Sequence, residues 1–166
     1  MLLVLALGGV YSGVSLQAAT TETNAPVHPL ATNACVTIDT PVVVRGPDAK
    51  RLFALGMIET GNDDREVGSD GEVSRYQIQP VVWKTYTTST EYRNPEVALS
   101  VARQHWNFLA KYFKDRAGRE PDDFDMYILW NTRFGYYSRK GFEQGKVSLI
   151  IQDRAQRFVN LVNRKG

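Results

Sequence analysis

The chain has 166 residues, enough for one domain with a buried core and too few for a second catalytic domain. Its composition, 43% hydrophobic and 23% charged with three Trp, eight Tyr and seven Phe, excludes disorder throughout, and a net charge of +2 without a Lys/Arg block leaves no electrostatic footprint for nucleic acid. One Cys and two His exclude an internal disulfide framework and leave too few ligands for a zinc site, so no metal and no cofactor are expected.

The run Met1 to Val10 is apolar and short, and Ser15-Leu16-Gln17-Ala18-Ala19 follows it with small residues that suit secretory cleavage. Residues 1–19 therefore read as a signal peptide, too short for an ordinary membrane span, with an uncleaved anchor as the alternative. An exported protein is expected, periplasmic or extracellular. Residues 20–44 read as a linker or arm, because Pro26, Pro29 and Pro41 prevent a sustained helix. Cys35 lies in it as a free thiol with no His placed to activate it.

Residues 45–166 carry the domain. A first helix opens at Pro47-Asp48 and runs to Thr60, where Gly61 stops it; it is apolar on nearly every side, which predicts a central, buried helix. The polar stretch from Asn62 to Ser74 is too long for a turn and points to a functional loop. A short strand-like segment, Arg75-Tyr76-Gln77-Ile78, leads to a helix start at Pro80. Asn94-Pro95 opens an amphipathic helix to about Phe113, with Ala98, Val101, Ala102, His105, Leu109 and Tyr112 on one stripe. His105 is read as a packed histidine, and Trp83 and Trp106 as core. Further helices run from about Pro121 to Asn131 and from about Leu149 to Asn163, the last burying Ile151, Ala155, Phe158, Val159 and Val162. The fold class is mainly α, an α+β domain only by virtue of its small strand and loop region.

Leu52, Leu55, Gly56 and Glu59 fall at i, i+3, i+4 and i+7, so the carboxylate of Glu59 continues an inward-facing row. Burial and the helix C-terminus both favour a carboxyl group that keeps its proton, as a general acid must. On periodicity alone Glu59 either does this or reaches solvent from the helix end; the long polar loop that follows favours the first. Phe124, Tyr127, Ile128 and Asn131 repeat the spacing. Asn131 then either binds an acetamido group or is a satisfied core amide. Tyr76, Trp130, Phe134, Tyr136 and Tyr137 are the aromatics that can stack on sugar faces.

The run Ala54-Leu55-Gly56-Met57-Ile58-Glu59-Thr60-Gly61-Asn62, then Val67 to Pro80 with its Gly-containing turn and Gln77, then Leu129-Trp130-Asn131 and Gly135, resembles the catalytic signature of soluble lytic transglycosylase and goose-type-lysozyme-like domains. The resemblance covers Asp48 to Asn163, with elements in the family's order. It implies a lysozyme-like helical domain with a glycan cleft, walled by Asn62–Ile78 on one side and by Asn131–Tyr137 on the other. It implies Glu59 as catalytic acid/base, with Thr60, Gln77, Trp130 and Asn131 as substrate-binding residues; Tyr76 and Tyr136 join them as stacking candidates. The sequence departs from the pattern at Ser74, which stands for a turn glycine, at Arg75-Tyr76, which replaces Leu-Met, and at Thr132-Arg133-Phe134.

By that resemblance the substrate is the glycan strand of peptidoglycan, cut between N-acetylmuramic acid and N-acetylglucosamine to give a 1,6-anhydro product. A monomer is expected. Two alternatives stand beside it: a hydrolytic lysozyme in which Asp63, Asp64 or Asp70 activates water, and a non-catalytic wall-binding module.

Overall fold

The computed structural model describes residues 46–164. The expected signal peptide, the linker and Cys35 lie outside the described residues. Among the described residues six α-helices follow in chain order: α1 (Ala49–Thr60), α2 (Pro80–Trp83), α3 (Pro95–Ala117), α4 (Asp123–Asn131), α5 (Tyr136–Arg139) and α6 (Leu149–Asn163), with a 3₁₀ turn over Gln144–Lys146. The domain is mainly helical, and none of the helices among the described residues is long and apolar enough to cross a membrane.

Local chemistry sets the helix ends. The Asp48 carboxylate accepts the Arg51 N–H at 2.8 Å and starts α1, and Gly61, at φ +69°, closes it by turning its own N–H and that of Asn62 back onto Met57 and Gly56. Asn94 caps α3 by accepting from Glu96 and Val97. That helix runs four residues past the expected Phe113, to Ala117, because Lys114 and Arg116 suit its last turn and Gly118 supplies the left-handed stop. Its buried stripe is Ala98, Val101, Ala102, Trp106, Leu109 and Phe113, so His105 and Tyr112 sit at the edge of the stripe. In α6, Ala155, Phe158 and Val162 are buried, with Ile151 and Val159 half-buried beside them.

Two expectations need correction. Helix α1 is one-sided: Leu52, Ala54, Leu55 and Gly56 are buried, but Phe53 and Met57 are 61% and 40% exposed. The central helix is α4, whose residues Asp125 to Leu129 are all buried and which packs on α6 and α3. Nine residues flanked on both sides have no face left for water, whereas the longer α1 meets its neighbours along one stripe. Likewise, Arg75–Ile78 is not a strand. Val73 and Ile78 form a single antiparallel bridge that closes a tight turn, with Ser74 and Gln77 both in the left-handed region at φ +63° and +49°.

The burial of α4 leaves an aspartate in the core. Asp125 accepts from Arg119 at 2.5 and 3.0 Å, from the Tyr137 hydroxyl at 2.7 Å and from Gln144 at 3.2 Å, and it completes a reciprocal cap with Asp122. Burial pushes its pKa up, but Arg119, Tyr137 and Gln144 outweigh it and hold the carboxyl below its ordinary value. A carboxyl depressed in this way stabilises the fold above its unfolded pKa and loses that contribution as the pH falls through its folded pKa. Asp125→Asn therefore lowers the unfolding free energy by about 2–3 kcal/mol at neutral pH. In denaturant melts the gap to wild type narrows once the pH drops below about 4.

Candidate active site

Glu59 stands in the last turn of α1 with its side chain 7% exposed. Two donors from distant parts of the chain reach it. The Tyr127 hydroxyl on α4 donates to Oε1 at 2.8 Å, and Arg154 on α6 donates a guanidinium N–H to Oε2 at 3.3 Å. Burial is the dominant influence on this carboxyl and raises its pKa, the negative charge of Glu72 acts in the same direction, and Tyr127, Arg154 and Asn131 oppose them. The net result is an acid that holds its proton more tightly than an ordinary glutamic acid.

Glu59 opens into a cleft of about 770 Å³. Gly68, Ser69, Asp70, Glu72 and Gln77 line it from the polar loop, Gln79 and Val81 from the start of α2, and Trp130 to Arg133 from the end of α4. Arg154 completes the lining. The loop is folded tightly here: the Gly68 N–H donates to the Glu72 carbonyl at 2.9 Å, and a Cβ on Gly68 would collide with the Glu72 carboxylate and the Gln77 amide. A smaller hollow of about 260 Å³ adjoins, sharing Gln77, Gln79, Trp130 and Arg133 and extending to His105 and Phe134.

Of the residues singled out in the sequence, Glu59, Gln77, Trp130 and Asn131 come together in the cleft. Thr60, Tyr76 and Tyr136 are not in its lining. The Thr60 hydroxyl donates to the Gly56 and Arg75 carbonyls and accepts the Asp63 N–H, so it ties the helix end to the loop. Tyr76 is 5% exposed, packed in the core as the tight turn directs it inward, and its carbonyl accepts the Trp130 indole N–H at 3.0 Å. Tyr136 is half-buried on α5 under Lys140. Tyr137 is buried on Asp125, and Phe134 is exposed, its ring 4.6 Å from that of Tyr112 and 5.7 Å from that of Phe108.

Asp63 and Asp64 lie outside the cleft, paired with Arg65 and Arg75; Asp70 is in it. His105 is packed, with the Tyr86 hydroxyl 3.0 Å from Nδ1 and burial lowering its pKa to about 4. Among the described residues no three His, Cys, Asp or Glu side chains are grouped to hold a metal ion.

Three residues of this site do not stand out in the sequence as site residues: Tyr127, Arg154 and Glu72. Tyr127 reads there only as a member of an apolar row. Arg154 had a signal, since with Ile151, Ala155 and Phe158 it completes an i, i+3, i+4, i+7 stripe, and an arginine on a buried stripe asks for a partner. Glu72 had none, because a loop has no period. Comparison of the chain with protein families, with curated proteins and with solved structures finds no match.

Arg154→Gln and Tyr127→Phe each remove a donor that favours the Glu59 carboxylate, so each raises the Glu59 pKa. Carboxyl-carbon NMR titration reads the shift directly, and a midpoint that stays put or falls in both variants contradicts this arrangement.

Proposed function

We propose that this protein cleaves the glycan strands of peptidoglycan as a lytic transglycosylase with a lysozyme-like domain, Glu59 being its acid/base. The observation that carries the reading is a single one: a buried carboxyl group, with its pKa raised, opening into a cleft large enough for sugar rings. The similarity of the Glu59, Gln77 and Asn131 segments to the transglycosylase signature supplies the substrate class, and the placing of those three residues in one cleft supports it. A non-catalytic module has no use for a desolvated acid, and the location of Glu59 argues against that alternative.

In this mechanism Glu59 gives its proton to the oxygen that links N-acetylmuramic acid to N-acetylglucosamine, and the C1–O bond breaks with its electron pair on that oxygen. The acetamido oxygen of the muramic acid bonds to C1 and carries the charge. Glu59, now a carboxylate, is steadied by Tyr127 and Arg154, whose hydrogen bonds are strongest for the charged form. It then takes the proton of the C6 hydroxyl as that oxygen displaces the acetamido oxygen from C1, which leaves a 1,6-anhydro ring and restores the acid. One enzymic carboxylate suffices for proton transfer when the substrate supplies its own nucleophile. Asn131, in the cleft and able to donate and accept, suits recognition of an acetamido group. Export follows from such a substrate.

Glu59→Gln loses cleavage by roughly 10²–10⁴-fold, because an amide has no proton to give, while thermal unfolding stays near wild type. Mass spectrometry of the released muropeptides identifies the reaction: hydrolysed products carry one water more than anhydro products. Asp63→Asn and Asp64→Asn leave turnover nearly unchanged, since both carboxylates are held by arginines outside the cleft; a collapse in either variant restores the hydrolytic alternative. Asn131→Ala slows turnover strongly with little change in melting temperature, and a large loss of stability with unchanged specific activity assigns Asn131 to the core instead.

A further inference from the structure

The polar loop brings two further carboxylates, Asp70 and Glu72, into the cleft that holds Glu59. Glu72 lines it, and both its oxygens are fixed: Oε1 accepts the Gln79 side-chain N–H at 2.8 Å and Oε2 accepts the Asp70 backbone N–H at 3.1 Å. Among the described residues no Lys or Arg forms an ion pair with it, in contrast to Asp63 and Asp64 a few positions earlier. The lack of a side chain at Gly68 makes room for it, and the Gly68 N–H clamps its backbone. An anion held by two neutral donors, without a compensating cation and beside another carboxyl, is a poor arrangement for stability alone. Each oxygen keeps a lone pair for a group that enters the cleft.

We infer that Glu72 is a second catalytic carboxylate, which stabilises the positive charge that develops around C1 of the sugar as its bond to the leaving oxygen breaks. The inference rests on the reading of the cleft as a glycan-cleaving site. Glu72 forms no bond with the sugar. The proton of Glu59 goes to the leaving oxygen, the electron pair of the C1–O bond goes with it, and the charge left on C1, the ring oxygen and the acetamido group faces a fixed anion. When the C6 oxygen attacks C1, its proton returns to Glu59 and the charge disappears. Glu72 serves both halves of the reaction and is not consumed.

The same anion acts on Glu59 itself. The groups facing Glu59 are Tyr127 and Asn131 from α4 and Arg154 from α6, which favour its carboxylate, and Glu72 from the loop, which favours its protonated form.

The test uses the full chain with purified peptidoglycan strands. Glu72→Gln keeps the shape and removes the charge; its amide oxygen can still accept the Asp70 N–H, and its NH2 can donate to Gln79 once the Gln79 amide turns over. In this variant kcat falls on the order of 10²-fold, with KM little changed. The alkaline limb of the kcat–pH profile, which reports loss of the Glu59 proton, moves to lower pH, and Glu72→Asp recovers part of kcat. Wild-type kcat in Glu72→Gln overturns the inference. So does a reduced kcat with the alkaline limb unmoved, which marks Glu72 as a prop for the loop. If the wild type releases no fragments at all, the glycan-cleaving reading falls and takes this inference with it, whereas cleavage undiminished in Glu72→Gln removes the role of Glu72 alone.

Discussion

The hydrogen bond from Tyr127 to Glu59 joins residues 68 positions apart, and the Arg154 pair spans 95. Removing a carboxylate from water costs several kcal/mol unless donors replace its hydration. Here the replacement comes from two other helices, so α1, α4 and α6 have to meet at the height of the last turn of α1. Tyr127 is fully buried and stacks on Phe158 of α6, ring centres 5.5 Å apart, so the apolar packing that joins α4 to α6 also aims the hydroxyl at Glu59. Core and site share their side chains at this point.

The balance at Glu59 is deliberately incomplete in physical terms. Two or three strong donors on a fully compensated carboxylate drive its pKa far down, and the group is then useless as an acid. Arg154 is partly exposed and 3.3 Å away, a weak pair, and Glu72 pulls in the other direction. Asp125, the other buried carboxylate, shows the contrasting solution: Arg119, Tyr137, Gln144 and the cap with Asp122 saturate it, and its pKa is lowered. One acid is saturated with donors and the other is left short of them.

The loop beside Glu59 carries backbone strain of its own. Ser74 and Gln77 occupy the left-handed region that costs an L-residue about 1–2 kcal/mol. Ser74 is buried, and its hydroxyl accepts the Tyr76 N–H, a local bond that partly offsets the cost of a conformation in which glycine is at ease. That accounts for how a serine stands where the resembled signature has a glycine. The turn sends Tyr76 inward and leaves Gln77 in the cleft, so the strained backbone decides which of two neighbours lines it.

What the sequence determined by itself is what local rules determine. Asp48, Asn94 and Gly61 mark helix ends because caps and left-handed stops are short-range chemistry, and α6 runs from Leu149 to Asn163 as its apolar period requires. The rows ending in Glu59 and Asn131 were legible for the same reason, since the helical period places both tips on the inward side. Only the tertiary structure decided the rest. The period of α1 did not reveal that Phe53 and Met57 face water, because apolar pattern gives a helix's preference and not the number of neighbours it finds. The segment Arg75–Ile78 reads as a strand because its residues suit one, and a single bridge between Val73 and Ile78, with Ser74 and Gln77 left-handed, folds it into a turn instead. Tyr127, Arg154 and Glu72 acquire their meaning only from contacts across the chain: a carboxylate's donors and its charged neighbours are chosen by which helices pack together, a decision no local window of sequence contains.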